Sequence, residues 1–191
     1  MAWSKTYDGA EPQRVNKWLA QSGVCSRRDA EALIAQGLVS IDGARVDDAG
    51  RKILPGQTLT LADAAGQQLD AQITVVIHKP VGIVSAQPEG DQIPAARLLT
   101  RANLWGEAQT IPSSKQSLAP MGRLDQDSRG LLLLSEDGVL AKALIGPQSL
   151  LEKEYLVRVD GPINDAKLKW LRHGLWLDER ELRPADVTVI G

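Results

Sequence analysis

Cysteine is nearly absent from this chain. Cys25 is its single example among 191 residues, so an internal disulfide is excluded, and the low count fits a reducing compartment such as the cytoplasm. Its ordinary reading is a small buried apolar side chain. Histidine is scarce too. His78 and His173 stand far from each other and from Cys25, with no metal-ligand spacing, so no metal site is expected. No apolar run approaches the roughly 18–20 residues of a membrane-spanning helix, and MAWSKTYDGAEPQR lacks the apolar centre of a signal peptide. A strong basic field is missing as well: net charge is −2, so any nucleic-acid contact must come from local patches. Neither a repeat nor a low-complexity segment is present.

What remains is the composition of a globular protein, with 43% hydrophobic and 24% charged residues. Residues 1–12 read as a flexible lead-in. Residues 13–62 read as one small unit. QRVNKWLAQSGV predicts a helix stopped at Gly23, and Ser26 can cap a second, RRDAEALIAQG, with Ala30, Leu33 and Ile34 on one face. LVSIDGARV predicts a hairpin about Asp42-Gly43. A turn at Pro55-Gly56 leads to another strand. ADAAGQQLDAQ, small and polar, reads as a linker over 63–72. From residue 73 strands and helices intermix: ITVVIHKP, then VGIVS, a short helix in AARLLTRANLW, a loop in GEAQTIPSSKQ, and the buried strand LLLLS. A helix in EDGVLAKALIG, a strand in KEYLVRVDG, a helix in INDAKLKWLRHG and a closing strand in VTVI follow. Without strict βαβα alternation, the pattern favours an α+β fold with a mixed or antiparallel sheet and flanking helices.

Two clusters of charge stand out. In SGVCSRRDAEALIAQG, Ser26, Arg27 and Arg28 sit at a helix N-terminus, where backbone N–H groups favour anions and arginines add bidentate phosphate donors. Arg14 and Lys17 on the preceding helix extend the patch. A solvated helix cap with surface charge is the other reading of these residues. The second cluster, GRLDQDSRG, packs Arg123, Asp125, Asp127 and Arg129 ahead of an apolar strand. In an extended segment Asp125 and Asp127 would share a face roughly 6–7 Å apart, within the roughly 5–9 Å range of glycosidase-like carboxyl pairs. Surface pairs of this kind are common, and a carboxylate-pair hydrolase stays open at this point. KPVG and GRLDQDSRG match no nucleotide fingerprint, and no nucleophile elbow supports a triad of Ser128 and His173.

Taken whole, SRRDAEALIAQGLVSIDG, with Ile34, Gly37 and Val39 ahead of the Asp-Gly hairpin, resembles the small RNA-binding domain first described in small-subunit ribosomal protein four. GRLDQDSRGLLLLSEDG resembles the signature of the pseudouridine synthases. HKPVGIVS (78–85) resembles the Lys-Pro-x-Gly segment of that catalytic domain, and EKEYLVRVDGPI (152–163) its Lys-x-Tyr strand. The branch they resemble is the RsuA/RluF type, which acts on ribosomal RNA and carries the ribosomal-protein-four-like domain in front. The resemblance covers about residues 13–190 and places the catalytic domain over 73–191.

The resemblance implies isomerisation of a uridine in ribosomal RNA to pseudouridine, with VGIVS and EKEYLV leaning toward the large subunit's 23S RNA. It implies Asp125 as nucleophile and Arg123 as the arginine beside the flipped nucleotide. Tyr155 would pack on the uracil, and Lys153 would contact backbone or a carboxylate. Gly122 and Gly130 would permit tight backbone paths, with Asp127, Ser128 and Arg129 bracing the loop. No cofactor and no metal are implied, ribosomal RNA is the expected partner, and the expected state is a cytoplasmic monomer off the membrane. A non-catalytic RNA-binding or ribosome-assembly protein on the same scaffold is the alternative. Trp18, Trp105, Trp170 and Trp176 receive no role. The RsuA/RluF type also carries an Arg-Gln-Ile-Arg-Arg segment, one arginine of which would pair with the aspartate. LRPADVTVIG (182–191) does not supply it, which implies a chain truncated at its C-terminus and inactive, or nearly so, by itself.

Overall fold

Helix starts and turns form where the polar residues can cap them. The computed structural model describes residues 3–108, 111–113 and 116–190. β1 (Ser4–Thr6) and β2 (Gln13–Arg14) lead into α1 (Val15–Gln21) and α2 (Arg27–Ala35). Ser26 caps α2 through a reciprocal box. The Asp29 N–H donates to Ser26 Oγ at 3.1 Å, and the Ser26 N–H donates to Asp29 Oδ2 at 2.9 Å. β3 (Val39–Ile41) and β4 (Ala44–Arg45) form the expected hairpin. Asp42 (φ 49°) and Gly43 (φ 81°) both take the left-handed region that a two-residue turn between twisted strands requires. β5 (Lys52–Ile53) pairs with β2, and β6 (Thr58–Leu61) lies between β1 and β3 in a sheet of order β1-β6-β3-β4.

The amino-terminal segment is no flexible lead-in. β1 pairs antiparallel with β6, and cross-strand hydroxyls join Ser4 to Thr60 (3.1 Å) and Thr6 to Thr58 (2.9 Å). Tyr7 is buried edge-on against Trp18 at 5.4 Å, and Trp3 lies 6.0 Å from the same ring. The expected linker is also ordered. α3 (Asp63–Asp70) occupies it and buries Ala65 in a core that runs from Trp3 to Leu69. A segment too small and polar to attract notice packs closely because its buried side chain is a single methyl.

A second core begins at β7 (Thr74–Lys79). β8 (Ile83–Val84) and β9 (Ile93–Pro94) make a short parallel pair. The helix expected in AARLLTRANLW resolves into two 3₁₀ turns, Ala95–Leu98 and Arg101–Asn103, because Thr100 between them is extended (φ −127°, ψ 158°). Of the expected loop at 106–116, residues 109, 110, 114 and 115 lie outside the described residues. β10 (Ala119–Pro120), β11 (Gly130–Ser135) and β7 form an antiparallel sheet of order β10-β11-β7. β11 pairs with β7 over its whole length, from Gly130 opposite Lys79 to Ser135 opposite Thr74. α4 (Gly138–Ile145) follows, capped by Asp137, whose Oδ1 accepts the Val139 N–H at 2.8 Å and the Leu140 N–H at 3.1 Å.

LLLLS is not uniformly buried. Leu132 and Leu134 enter the core while Leu131 is 69% exposed, so the strand alternates despite an unbroken apolar run.

Residues Glu152–Gly191 form a separate compact unit. It holds α5 (Asp165–His173), capped by Asn164, and a hairpin of β12 (Trp176–Leu177) and β13 (Arg180–Glu181). KEYLVRVDG and VTVI, both expected as strands, are unpaired here. Their alternation is intact, but it names a face and not a partner, and no described strand runs beside either. The architecture is α+β with antiparallel sheets and one short parallel pair.

The alternation of β11 has a measurable consequence. Leu134→Ala should cost about 2–5 kcal/mol in urea unfolding. Leu131→Ala should stay within about 0.5 kcal/mol. Equal losses would mean that Leu131 is covered.

Candidate active site

Because β7 and β11 pair to their ends, the loop leaving β7 and the loop entering β11 emerge side by side, with Lys79 opposite Gly130. The first is KPVGIVS; the second is GRLDQDSRG. Hydrogen bonds between them hold the backbone on both sides of Asp125. On the N-terminal side, the Ser85 hydroxyl donates to the Leu124 C=O at 2.7 Å and accepts the Leu124 N–H at 2.9 Å. Leu124 also packs its side chain against the second core. On the C-terminal side, the Gly82 N–H donates to the Gln126 C=O at 2.8 Å. The Gln126 side chain returns a bond to the Gly82 C=O at 3.4 Å and accepts one from Gln92 at 3.1 Å.

Asp125 lies between these ties and is exposed. Its C=O accepts the Ser128 N–H at 3.0 Å, so residues 125–128 form a turn. The extended segment that would set Asp125 and Asp127 on one face is therefore absent. Gly122 (φ 103°) and Gly130 (φ 142°) bend the loop in and out through backbone angles that a side chain resists. Of the expected braces, Ser128 acts through its backbone bond to Asp125, and Ser85, Gly82 and Gln126 join it. Among the described residues, the Asp127 and Arg129 side chains make no hydrogen bond.

Lys79 underlies this arrangement. It is fully buried, and its ammonium donates to the Ile83 C=O at 2.7 Å and the Pro80 C=O at 3.0 Å, shaping the KPVG turn. Burial pushes its pKa below the ordinary 10.5, and the negative charges of Asp125 and then Asp127 pull it back up. Neither carboxylate bonds to the ammonium, so the coupling is through space.

The other candidate residues fall into two places. Arg123 is exposed on the Asp125 loop. Arg14 stands just ahead of α1, Lys17 lies on α1, and Arg27 and Arg28 open α2, all four exposed, with Ser26 half-buried. α1 and α2 are tied by Asn16 donating to Glu31 at 2.7 Å, so the basic residues share one small module. Lys153 and Tyr155 (61% exposed) belong to the second unit. Among the described residues, no cluster of three or more His, Cys, Asp or Glu side chains is placed to hold a metal ion. Nor is any helix long and apolar enough to cross a membrane. Trp18 is core, while Trp105, Trp170 and Trp176 are exposed. Sequence reasoning singled out Asp125 and Arg123 but missed Ser85 and Gln126. Their only signal was membership in the two motifs.

The RNA pseudouridylate synthase model matches residues 73–174, which contain both loops, and the S4 domain model matches residues 13–59. The chain belongs to the RNA pseudouridylate synthase family. An uncharacterized RNA pseudouridine synthase of Mycobacterium leprae is 32% identical over 95% of this chain and 68% of its own length. Ribosomal large subunit pseudouridine synthase B of Bacillus subtilis is 30% identical over 93% and 68%. Dual-specificity RNA pseudouridine synthase RluF of Escherichia coli K12 is 34% identical over 85% of this chain, which spans about half (52%) of that protein. A crystal structure of a pseudouridylate synthase aligns over 95% of this chain and 74% of its own, with a TM-score of 0.54 and 21% identity, a likeness of fold.

Two outcomes test the loop ties. Ser85→Ala leaves both polar groups of Leu124 unpaired and should cost about 1–3 kcal/mol in urea unfolding. Lys79 should make stability depend on pH. With its folded pKa lowered, the unfolded chain binds the proton more tightly, so stability rises with pH between the lowered value and 10.5. Lys79→Met should remove that rising limb, and an unchanged slope would show that the ammonium is not desolvated.

Proposed function

We propose that the protein converts a uridine in ribosomal RNA to pseudouridine. The observation that carries this reading is an exposed aspartate whose two neighbouring residues are both hydrogen-bonded to the KPVG loop. A reacting carboxylate needs this combination: a free side chain on a backbone that cannot drift, since loss of position is costly to rate. Family membership and the rRNA-modifying relatives support the substrate class.

In the reaction the N1–C1′ glycosidic bond breaks, the uracil turns, and a C5–C1′ bond forms. N1 gains a proton and C5 loses one, so atoms balance without a cofactor. Asp125 is the nucleophile, and it divides the exchange through a covalent intermediate. The uridine must leave its stack, at a cost of a few kcal/mol. Arg123, two residues ahead of Asp125, handles the vacated position or its phosphate. Tyr155 packs on the uracil, an interaction worth about 1–3 kcal/mol, and Lys153 contacts backbone or a carboxylate. Arg14, Lys17, Ser26, Arg27 and Arg28 form the RNA-binding face of a module over 13–62, which precedes a catalytic domain from 73. The large ribosomal subunit is the proposed target, and the protein acts as a cytoplasmic monomer.

In the full-length protein, Asp125→Asn should reduce pseudouridine formation, measured by mass spectrometry of rRNA, by more than about 10³-fold while RNA binding is retained. Turnover that survives this change would sink Asp125 as the nucleophile. The non-catalytic rRNA-binding alternative predicts instead no turnover in the parent protein, with RNA binding and any phenotype surviving the loss of Asp125. Arg27→Ala and Arg28→Ala should weaken binding and each reduce the slope of log affinity against log salt by about 1.

A further inference from the structure

The first unit contains two cores, one from residues 3–69 and one from residues 75–134. They meet at a seam that the motifs do not mention. Asp29, already part of the α2 capping box, accepts a bond from Gln72 Nε2 at 3.3 Å. The same amide nitrogen reaches the Glu136 C=O at 3.5 Å. The Glu136 carboxylate accepts the Ile73 N–H at 3.2 Å and Gln116 Nε2 at 3.3 Å, and its own N–H donates to the Ile73 C=O at 3.1 Å. The connection between α3 and β7 is thus tied to both sides.

Beside these bonds the starts of α2 and α4 touch. A Cβ added to Gly138 would lie 2.3 Å from the Ser26 Cβ. Gly138 takes no positive φ, so Ser26, not its own backbone, excludes a side chain there. Glycine is otherwise a poor helix residue, and close approach accounts for it. A cleft of about 730 Å³ opens next to the contact, with Arg27 and Arg28 on one wall and Ala119 and Met121 on the other.

We infer that this seam locks the RNA-binding module at a set distance from the Asp125 loop, with Gly138, Gln72 and Asp29 as positioning residues. The partner it selects is a folded RNA that touches both sites at once. β11 is the spacer: the seam is at Glu136, just past its end, and the reactive loop precedes its start, about 20 Å away at strand rise. A rigid spacer makes RNA shape part of recognition, because an RNA bound on the arginines presents a uridine at Asp125 only if its own span matches. The inference rests on the isomerase reading for its functional consequence, not for the contact itself.

The test uses spin labels on Asp47→Cys and Lys142→Cys, both exposed, in otherwise unchanged protein, with Cys25 buried and unlabelled. Pulsed dipolar spectroscopy should give one narrow distance distribution. Gly138→Val should broaden it, and adding Ser26→Gly, which removes the opposing Cβ, should narrow it again. In unlabelled protein, Gly138→Val should lower kcat/KM about 10- to 100-fold on a folded rRNA domain. On a short stem-loop carrying only the target uridine, kcat should be unchanged. Retained stem-loop turnover shows an intact fold, and Gly138→Ala is the milder variant if valine disrupts it. A broad distribution in the parent protein, or equal kcat/KM for parent and variant on the folded RNA, overturns the inference. Absence of pseudouridine formation by the parent protein would sink the isomerase reading alone, and the distance measurements would still judge the seam.

Discussion

The ladder between β7 and β11 is the constraint on which the site depends. Six consecutive pairs run from Ser135–Thr74 to Gly130–Lys79, and a one-residue slip would invert every side chain. Leu132 and Leu134 share the buried face with Val75 and Ile77, so burial fixes the register. With the register fixed, two loops far apart in sequence must leave the same end together. Ser85 then reaches Leu124 across a separation of 39 residues, and Gly82 reaches Gln126. Rigidity at Asp125 is therefore a property of the sheet, delivered through four backbone groups.

That arrangement resolves a conflict. Asp125 faces solvent, yet exposed loop residues are ordinarily mobile. Here the side chain is free and the flanking peptides are not. Lys79 extends the same logic inward. Its buried ammonium spends its donors on two carbonyls of the KPVG turn, so it holds shape and contributes a positive field beneath Asp125 without contacting it.

Local physics made much of the fold legible. Ser26, Asp137 and Asn164 cap helices that their neighbours announce, and Asp42-Gly43 makes the hairpin turn its backbone angles demand. The motif reading placed Asp125 and Arg123 on a loop ahead of a sheet strand. What the residues did not reveal depends on distant partners. β1 becomes ordered by pairing with residues 58–60, and α3 by burying one alanine. KEYLVRVDG alternates correctly, yet a strand requires a neighbour that its own residues do not specify. The Ser85–Leu124 tie was invisible for the same reason, and so was the close approach of Ser26 to Gly138.

The aromatic cluster at the amino terminus bears on where the S4 module begins. The S4 family match starts at residue 13, but Tyr7 meets Trp18 edge-on, Trp3 meets it at a tilt, and both pack with the same core. The Tyr7 hydroxyl donates to the Glu11 C=O at 2.6 Å, closing the segment back on itself. The physical border of the module lies ahead of its family border. A fragment cut at residue 13 would strip β6 of an edge partner and leave the indole of Trp18 facing water, so homology alone marks the wrong place to divide this chain.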